Sequence, residues 1–253
     1  MIKKILIDGV SITPFQIDDL IDYLISLPGK ENQSCQITYL NAYVFCLAKR
    51  NKNLRTIILD SEIVLADGIS IVWAALLIKR IRIPRCIMTN VFDKFLTSSM
   101  ISECKCILIG VTEPEVKKAQ ERINKISGKV NIISAYSGYH TNQFYSEIFK
   151  SHQKIDMILI GMSSPKSEYL FNLARKDCKN SIIWHIGAGT IKCYAETKRR
   201  ASEWVSKMKI EWLHRFIFEK HTRKRYLLYN FMFIYYLLNG ILKSINRFNE
   251  TSI

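Results

Sequence analysis

Acidic side chains are scarce in this sequence. Asp and Glu number 22 against 37 Lys and Arg, for a net charge of +15. That imbalance favours an anionic partner: nucleic acid, an acidic membrane surface or a phosphorylated substrate. Seven cysteines are present without one CxxC pair, and the closest spacing, Cys104-x-Cys106, leads into an apolar run. Neither a zinc site nor a disulfide framework follows, so a reducing cytosol is the expected compartment. The five histidines (140, 152, 185, 214 and 221) have no metal-ligand spacing, and no D-x-D pair is present to hold a divalent ion on a nucleotide. The expected chemistry is therefore metal-independent. No G-x-G-x-x-G opens a helix after the first strand, and Gly187-Ala188-Gly189 lacks the third glycine, which argues against a dinucleotide enzyme. The basic start Met1–Asp8 loses its apolar character at Asp8, too early for a signal peptide.

The hydrophobic content of 48% supports a substantial core, and 253 residues suit one large α/β domain with an appendage. Short apolar runs alternate with amphipathic stretches, the pattern of a mostly parallel sheet with right-handed crossovers. Strands are expected at Ile5–Ile7, Gln36–Leu40, Ile63–Ala66, Cys106–Ile109, Val130–Ser134, Ile155–Ile160 and Ile182–Ile186. Helices are expected at Ala42–Lys49, Leu54–Leu59, Ile69–Lys79, Glu113–Ile126 and Gln143–Ser151, and one opens after Pro14. The organising stretch is Ile160–Glu168. Gly161 ends a buried strand there, and Ser163 or Ser164 is placed to cap a helix whose first turn holds Pro165 and Glu168. A strand, a small-residue turn and a helix start offer N–H groups and a positive dipole end to an anion, though many such turns only cap a helix. Gly110, Gly138, Gly161 and Gly187 each follow a strand, which puts four permissive turns on one sheet edge and suggests a binding cleft.

The composition changes near residue 195, which divides a domain (1–195) from an appendage (196–253). The appendage carries twelve Lys/Arg against five Glu. A helix over Trp204–Phe218 and the cluster Lys220, Arg223, Lys224, Arg225 precede Tyr226–Leu242, which is apolar and aromatic. Those residues fall short of the roughly 20 needed for a membrane span, and Asn230, Asn239 and Gly240 interrupt them. Tyr and Phe interleaved and flanked by Lys/Arg suit an element lying at the membrane interface, with a core or oligomer helix as the alternative. Within the domain, Asp67 before Gly68 ends a strand and is a candidate general base, or an ordinary Asp-Gly turn. Thr38 and Asn41 end another strand and could contact a sugar or phosphate, or only local backbone. Arg85 could clamp a phosphate, or be solvated.

One ordered series of residues resembles a known family. It comprises Asn41, Ala66-Asp67-Gly68, Arg85, Ile109-Gly110 with Pro114-Glu115-Val116, and Ser137-Gly138-Tyr139. It continues through Gly161-x-x-Ser164-Pro165-Lys166-x-Glu168, Gly187, Arg200-Ala201 and Glu211-Trp212-Leu213-x-Arg215. From about residue 35 to 225 the chain resembles the WecG/TagA/CpsF family of bacterial glycosyltransferases. The resemblance implies inverting, metal-independent transfer of an N-acetylmannosamine-type sugar from a UDP-sugar to a polyprenyl-diphosphate-linked sugar. It implies a Rossmann-like fold with no cofactor, and a basic C-terminal appendage at the cytoplasmic face of the inner membrane. Asp67 would be the base; Thr38, Asn41 and Gly68 would contact substrate. Arg85, the glycine turns Gly110, Gly138, Gly161 and Gly187, and Tyr139, Ser164, Pro165, Lys166 and Glu168 would line the donor site. Arg215, Arg223 and Arg225 would offset the acceptor diphosphate. The sequence departs from the family pattern at Ser167 (usually Gln), at Met88 and Asn90 (Gly and Asp) and at Ile191-Lys192 (Phe-Asp), and Thr38 lies three rather than two residues before Asn41. A homo-oligomer is left open. A nucleic-acid- or nucleotide-binding module is the competing reading of the charge, but the tail has more Leu, Ile and Phe than stacking on bases requires.

Overall fold

The computed structural model describes residues 3–27, 34–99, 103–152, 154–198 and 223–250. Its first element is a small antiparallel hairpin, β1 (Ile5–Ile7) and β2 (Val10–Ile12), followed by α1 (Ile17–Ile25). The alternating part comprises β3 (Cys35–Leu40), α2 (Ala42–Arg50), α3 (Lys52–Asp60), β4 (Ile63–Ala66), α4 (Ile69–Lys79) and α5 (Met88–Thr97). It continues with β5 (Cys104–Gly110), α6 (Glu113–Ile126), β6 (Val130–Tyr136), α7 (Asn142–Ser151), β7 (Met157–Gly161) and α8 (Lys166–Asp177). β8 (Ile182–His185) and α9 (Ala188–Tyr194) follow, and a long helix, α10 (Arg223–Glu250), ends the described chain. The six strands β3 to β8 form one sheet in the order β4-β3-β8-β7-β5-β6, and every pairing in it is parallel. This is the Rossmann-like α/β fold expected of the alternation.

A parallel strand buried on both faces divides its side chains between two cores. Met157 and Leu159 of β7 face a cluster built with α1, α5, α6 and α9, in which Trp184, Phe92 and Phe95 are packed edge to face. Ile158 and Ile160 point the other way, onto Phe149 of α7 and Phe171 of α8. On that second side a further cluster gathers the hairpin, α2 and α4, and it is completed by α10 through Phe233. Phe45 of α2 meets Phe233 edge to face at 5.5 Å.

Three described elements, β2, α5 and α9, have no counterpart in the sequence reading; α9 is only seven residues long and begins inside the Gly187-Ala188-Gly189 turn. Strand β2 is three residues long, too short for alternation to register. Helix α5 buries Met88, Val91, Phe92, Phe95 and Leu96, a 3–4 spacing that is legible but lies behind the irregular 81–87 stretch. The tail helix is longer than its apolar run, because its polar flanks continue the same backbone. The expected helix at Trp204–Phe218 lies outside the described residues.

Candidate active site

Helix α2 begins where β3 ends, and Asn41 makes the junction: its side-chain oxygen accepts the Val44 N–H at 3.0 Å. Beside it, the Asp67 N–H donates to the Leu40 carbonyl at 2.8 Å, which extends the β3–β4 pairing one residue past β4. Gly68 follows at φ 139°, a conformation L residues rarely adopt, and it caps α4. A Cβ built on Gly68 would lie 3.6 Å from Asn41 Cβ, so the two strand ends stand side by side. The Asp67 carboxylate accepts the Met88 N–H at 3.4 Å, near the start of α5, and remains half-buried. Arg85 is carried to the same corner because the next residue, Cys86, donates its N–H to the Ala66 carbonyl at 2.9 Å. Burial, with the Asp67 charge beside it, pushes the Cys86 thiol up to about 12, so it is protonated and unreactive at neutral pH.

The four glycine turns converge on the same edge, and they crowd one another. Gly110 and Gly161 are cross-strand partners; a Cβ on Gly110 would lie 2.3 Å from the Gly161 carbonyl oxygen. One on Gly161 would lie 2.1 Å from Ile191 Cδ1, and one on Gly138 would meet Met162 at 2.9 Å. A Cβ on Gly187 would come within 2.9 Å of the Tyr39 hydroxyl. These positions need glycine for the protein's own packing, whatever else they contact. Tyr139 projects from the same edge with 74% of its surface exposed.

Below that edge lies a polar group that pattern reading passed over. His185, the last residue of β8, is fully buried. Its Nε2 lies 3.1 Å from the Met162 carbonyl, and its Nδ1 lies 3.3 Å from Glu168 Oε1 and 3.4 Å from Thr38 Oγ1. A carbonyl only accepts, so it is the Nε2–H that donates to Met162. The Ser164 hydroxyl donates to Glu168 Oε1 at 2.7 Å. Burial opposes ionisation of Glu168, but the facing His185 and the Ser164 hydroxyl prevail and hold its carboxyl below the usual range. Tyr39 stacks on the imidazole with ring centroids 4.6 Å apart. The group ties the ends of β3, β7 and β8 together. Its only sequence signal is one histidine closing the apolar run Ile182-Ile183-Trp184.

Several expected contacts are therefore rearranged. Thr38 is fully buried against His185. Ser164 does not cap α8: Pro165 is the N-cap residue, and the Ser164 hydroxyl serves the Glu168 side chain. A buried carboxylate left without donors would cost more than a helix N–H open to water. Lys166 is exposed. The Arg225 guanidinium lies 5.0 Å over the Tyr43 ring, and the Tyr43 hydroxyl donates to the Ser164 carbonyl at 3.3 Å, which joins the start of α10 to the α8 turn. Arg223 is half-buried one turn-start earlier in α10, and Arg215 lies outside the described residues. Among the described residues no three His, Cys, Asp or Glu side chains are grouped to hold a metal ion.

The profile of the glycosyl transferase WecG/TagA/CpsF family matches residues 5–247, nearly the whole chain. The protein belongs to the WecG/TagA/CpsF family of glycosyl transferases. For this glycosyl transferase, one sheet edge carries both the half-buried carboxylate of Asp67 and the glycine turns. Carboxyl ends of parallel strands are where open α/β sheets bind ligands.

Proposed function

We propose that the protein is an inverting glycosyltransferase. It moves an N-acetylmannosamine-type or related sugar from a UDP-sugar to a polyprenyl-diphosphate-linked sugar in cell-surface polysaccharide synthesis. The observation that carries this reading is Asp67, half-buried beside Asn41, its N–H bonded to the Leu40 carbonyl and its carboxylate accepting the Met88 N–H. A carboxylate so placed takes the proton from the acceptor hydroxyl as that oxygen attacks the anomeric carbon, and UDP leaves from the opposite face. The departing diphosphate gains negative charge, and Arg85 is the cation assigned to it, while Arg223 and Arg225 are assigned to the diphosphate of the acceptor. Arg85 reaches the corner of Asp67 through the Cys86–Ala66 bond. The missing D-x-D pair supports a reaction without a divalent ion.

The acceptor is lipid-linked, so the enzyme works at a membrane surface, taken here as the cytoplasmic face. No described helix is long and apolar enough to cross a bilayer. What supports surface attachment is α10, whose outer side exposes Phe231, Tyr235, Leu238 and Leu242 between basic ends. The deciding experiment is transfer from a panel of UDP-N-acetylhexosamines and UDP-uronic acids to a short-chain polyprenyl-diphosphate sugar, with and without EDTA. Product of inverted configuration, unchanged by EDTA, is expected. Failure to bind any UDP-sugar or form product would return the chain to the class of binding modules.

A further inference from the structure

Helix α4 belongs to the nucleotide-sugar domain, yet its outer side is apolar: Trp73 is 53% exposed and Leu77 50%. Isolated exposed apolar residues are ordinary, but these adjoin a second apolar face. The inner sides of α4 and α10 line the same core cluster, so their outer sides open in the same general direction. The helices touch near the end of α4, where Ser244 donates to the Ile78 carbonyl at 2.9 Å. A Cβ on Gly240 would lie 2.6 Å from Ile78 Cδ1, so the crossing is close. Both helices also begin at the candidate active site. Gly68 caps α4 immediately after Asp67, and Arg225 at the start of α10 lies over Tyr43, two residues beyond Asn41.

The charge on this surface is of one sign. Helix α4 contains no acidic residue, and α10 has only Glu250, at its last position. Lys79 and Arg82 stand at the far end of α4, and Lys224 and Lys243 bracket the apolar part of α10; all four are exposed. An apolar strip with aromatic residues and basic margins matches the interface of an anionic bilayer, where rings enter the headgroup level and cations meet lipid phosphate.

We propose that α4 and α10 together form a membrane-docking platform, with Trp73 and Leu77 entering the lipid interface beside the α10 strip. This rests on the transferase reading and extends it, since it assigns lipid contact to the catalytic domain itself. Six residues of chain separate Asp67 from Trp73, about 9 Å at helical rise. The platform thus holds the base within reach of a sugar whose diphosphate lies at the headgroups.

The test is flotation of the full chain with vesicles of phosphatidylcholine and increasing phosphatidylglycerol. The wild-type chain is expected to float, and more so as the anionic fraction rises. The double variant Trp73→Glu/Leu77→Glu is expected to lose partitioning roughly tenfold or more, as follows from removing two apolar anchors. It should keep the wild-type melting temperature and turnover on a water-soluble acceptor. Trp73→Phe should still float but show a smaller vesicle-induced blue shift in emission than the wild type, the remaining shift coming from the other three tryptophans. Flotation of the double variant at the wild-type level, or an unchanged blue shift in Trp73→Phe, would overturn the proposal. So would a dimer dissociated by Trp73→Glu while flotation is unaffected, which would assign the face to a second copy. Absence of transfer in every protein, with flotation behaving as expected, would count against the transferase reading and leave the platform standing.

Discussion

Asp67 and Glu168 are both carboxylates near one sheet edge, and their surroundings assign them different work. Asp67 is half-open to solvent at a strand end, where a base must meet its substrate. Replacing it by Asn is expected to reduce transfer by roughly 10²- to 10⁴-fold, the usual contribution of a general base, with the melting temperature unchanged. Steady-state assays beside thermal melts check this, and full activity in Asp67→Asn would remove it as the base. Glu168 is sealed in with His185. Leaving one partner of a buried pair alone costs on the order of 3–5 kcal/mol, so His185→Phe should lower stability to that extent. Because the Glu168 carboxyl lies below its ordinary range in the folded protein, its stabilisation is present above about pH 4.3 and is lost as pH falls through the folded-state value. Urea titrations of wild type and Glu168→Gln should therefore differ at neutral pH and converge in acid. A gap that persists unchanged at low pH would contradict the assignment.

The elements meet at contacts that leave no room for an added methyl group. Gly110→Ala would drive a Cβ into the Gly161 backbone at a φ of 156°, and neither can give way easily. Gly161→Ala meets instead the end of the Ile191 side chain, which can move. Overpacking of this kind costs about 1–3 kcal/mol, and Gly110→Ala should lie at the upper end or beyond it. Equal destabilisation of the two variants in denaturant titrations would mean that backbone and side-chain clashes are equivalent here. Phe233 anchors α10 against Phe45, so Phe233→Ala should cost about 3–5 kcal/mol. At roughly 2–4 °C per kcal/mol for a chain of this size, calorimetry would register the loss clearly. An unchanged melting temperature would show that α10 contributes nothing to the main fold.

Over the whole molecule, the long-range field and the proposed apolar platform favour the same partner. A chain of net charge +15 is drawn to anionic surfaces, and that attraction weakens as salt shortens the Debye length to about 10 Å at 0.1 M. Vesicle binding should thus fall with salt without vanishing, because apolar insertion is not screened. Complete release by moderate salt would reduce the attachment to charge alone. Contact with nucleic acid would instead show the steep, log-linear salt dependence of counterion release.

Much of this was readable in the sequence because it depends on local order. Strand and helix alternation, the glycine after each buried strand and the Asp67-Gly68 turn follow from apolar period and backbone permission, and these set the sheet and the edge that holds the candidate site. The resemblance through Ser164-Pro165-Lys166-x-Glu168 placed the chain in its family, since short motifs in a fixed order survive as text. Only the tertiary structure paired His185 with Glu168, which are 17 positions apart in sequence, because a buried charge is satisfied by whichever strand end lies beside it. Only the tertiary structure, too, set α4 against α10 and turned Trp73 outward. Which face of a helix meets the core is decided by what packs on it, and the partner of α4 arrives from more than 140 residues downstream.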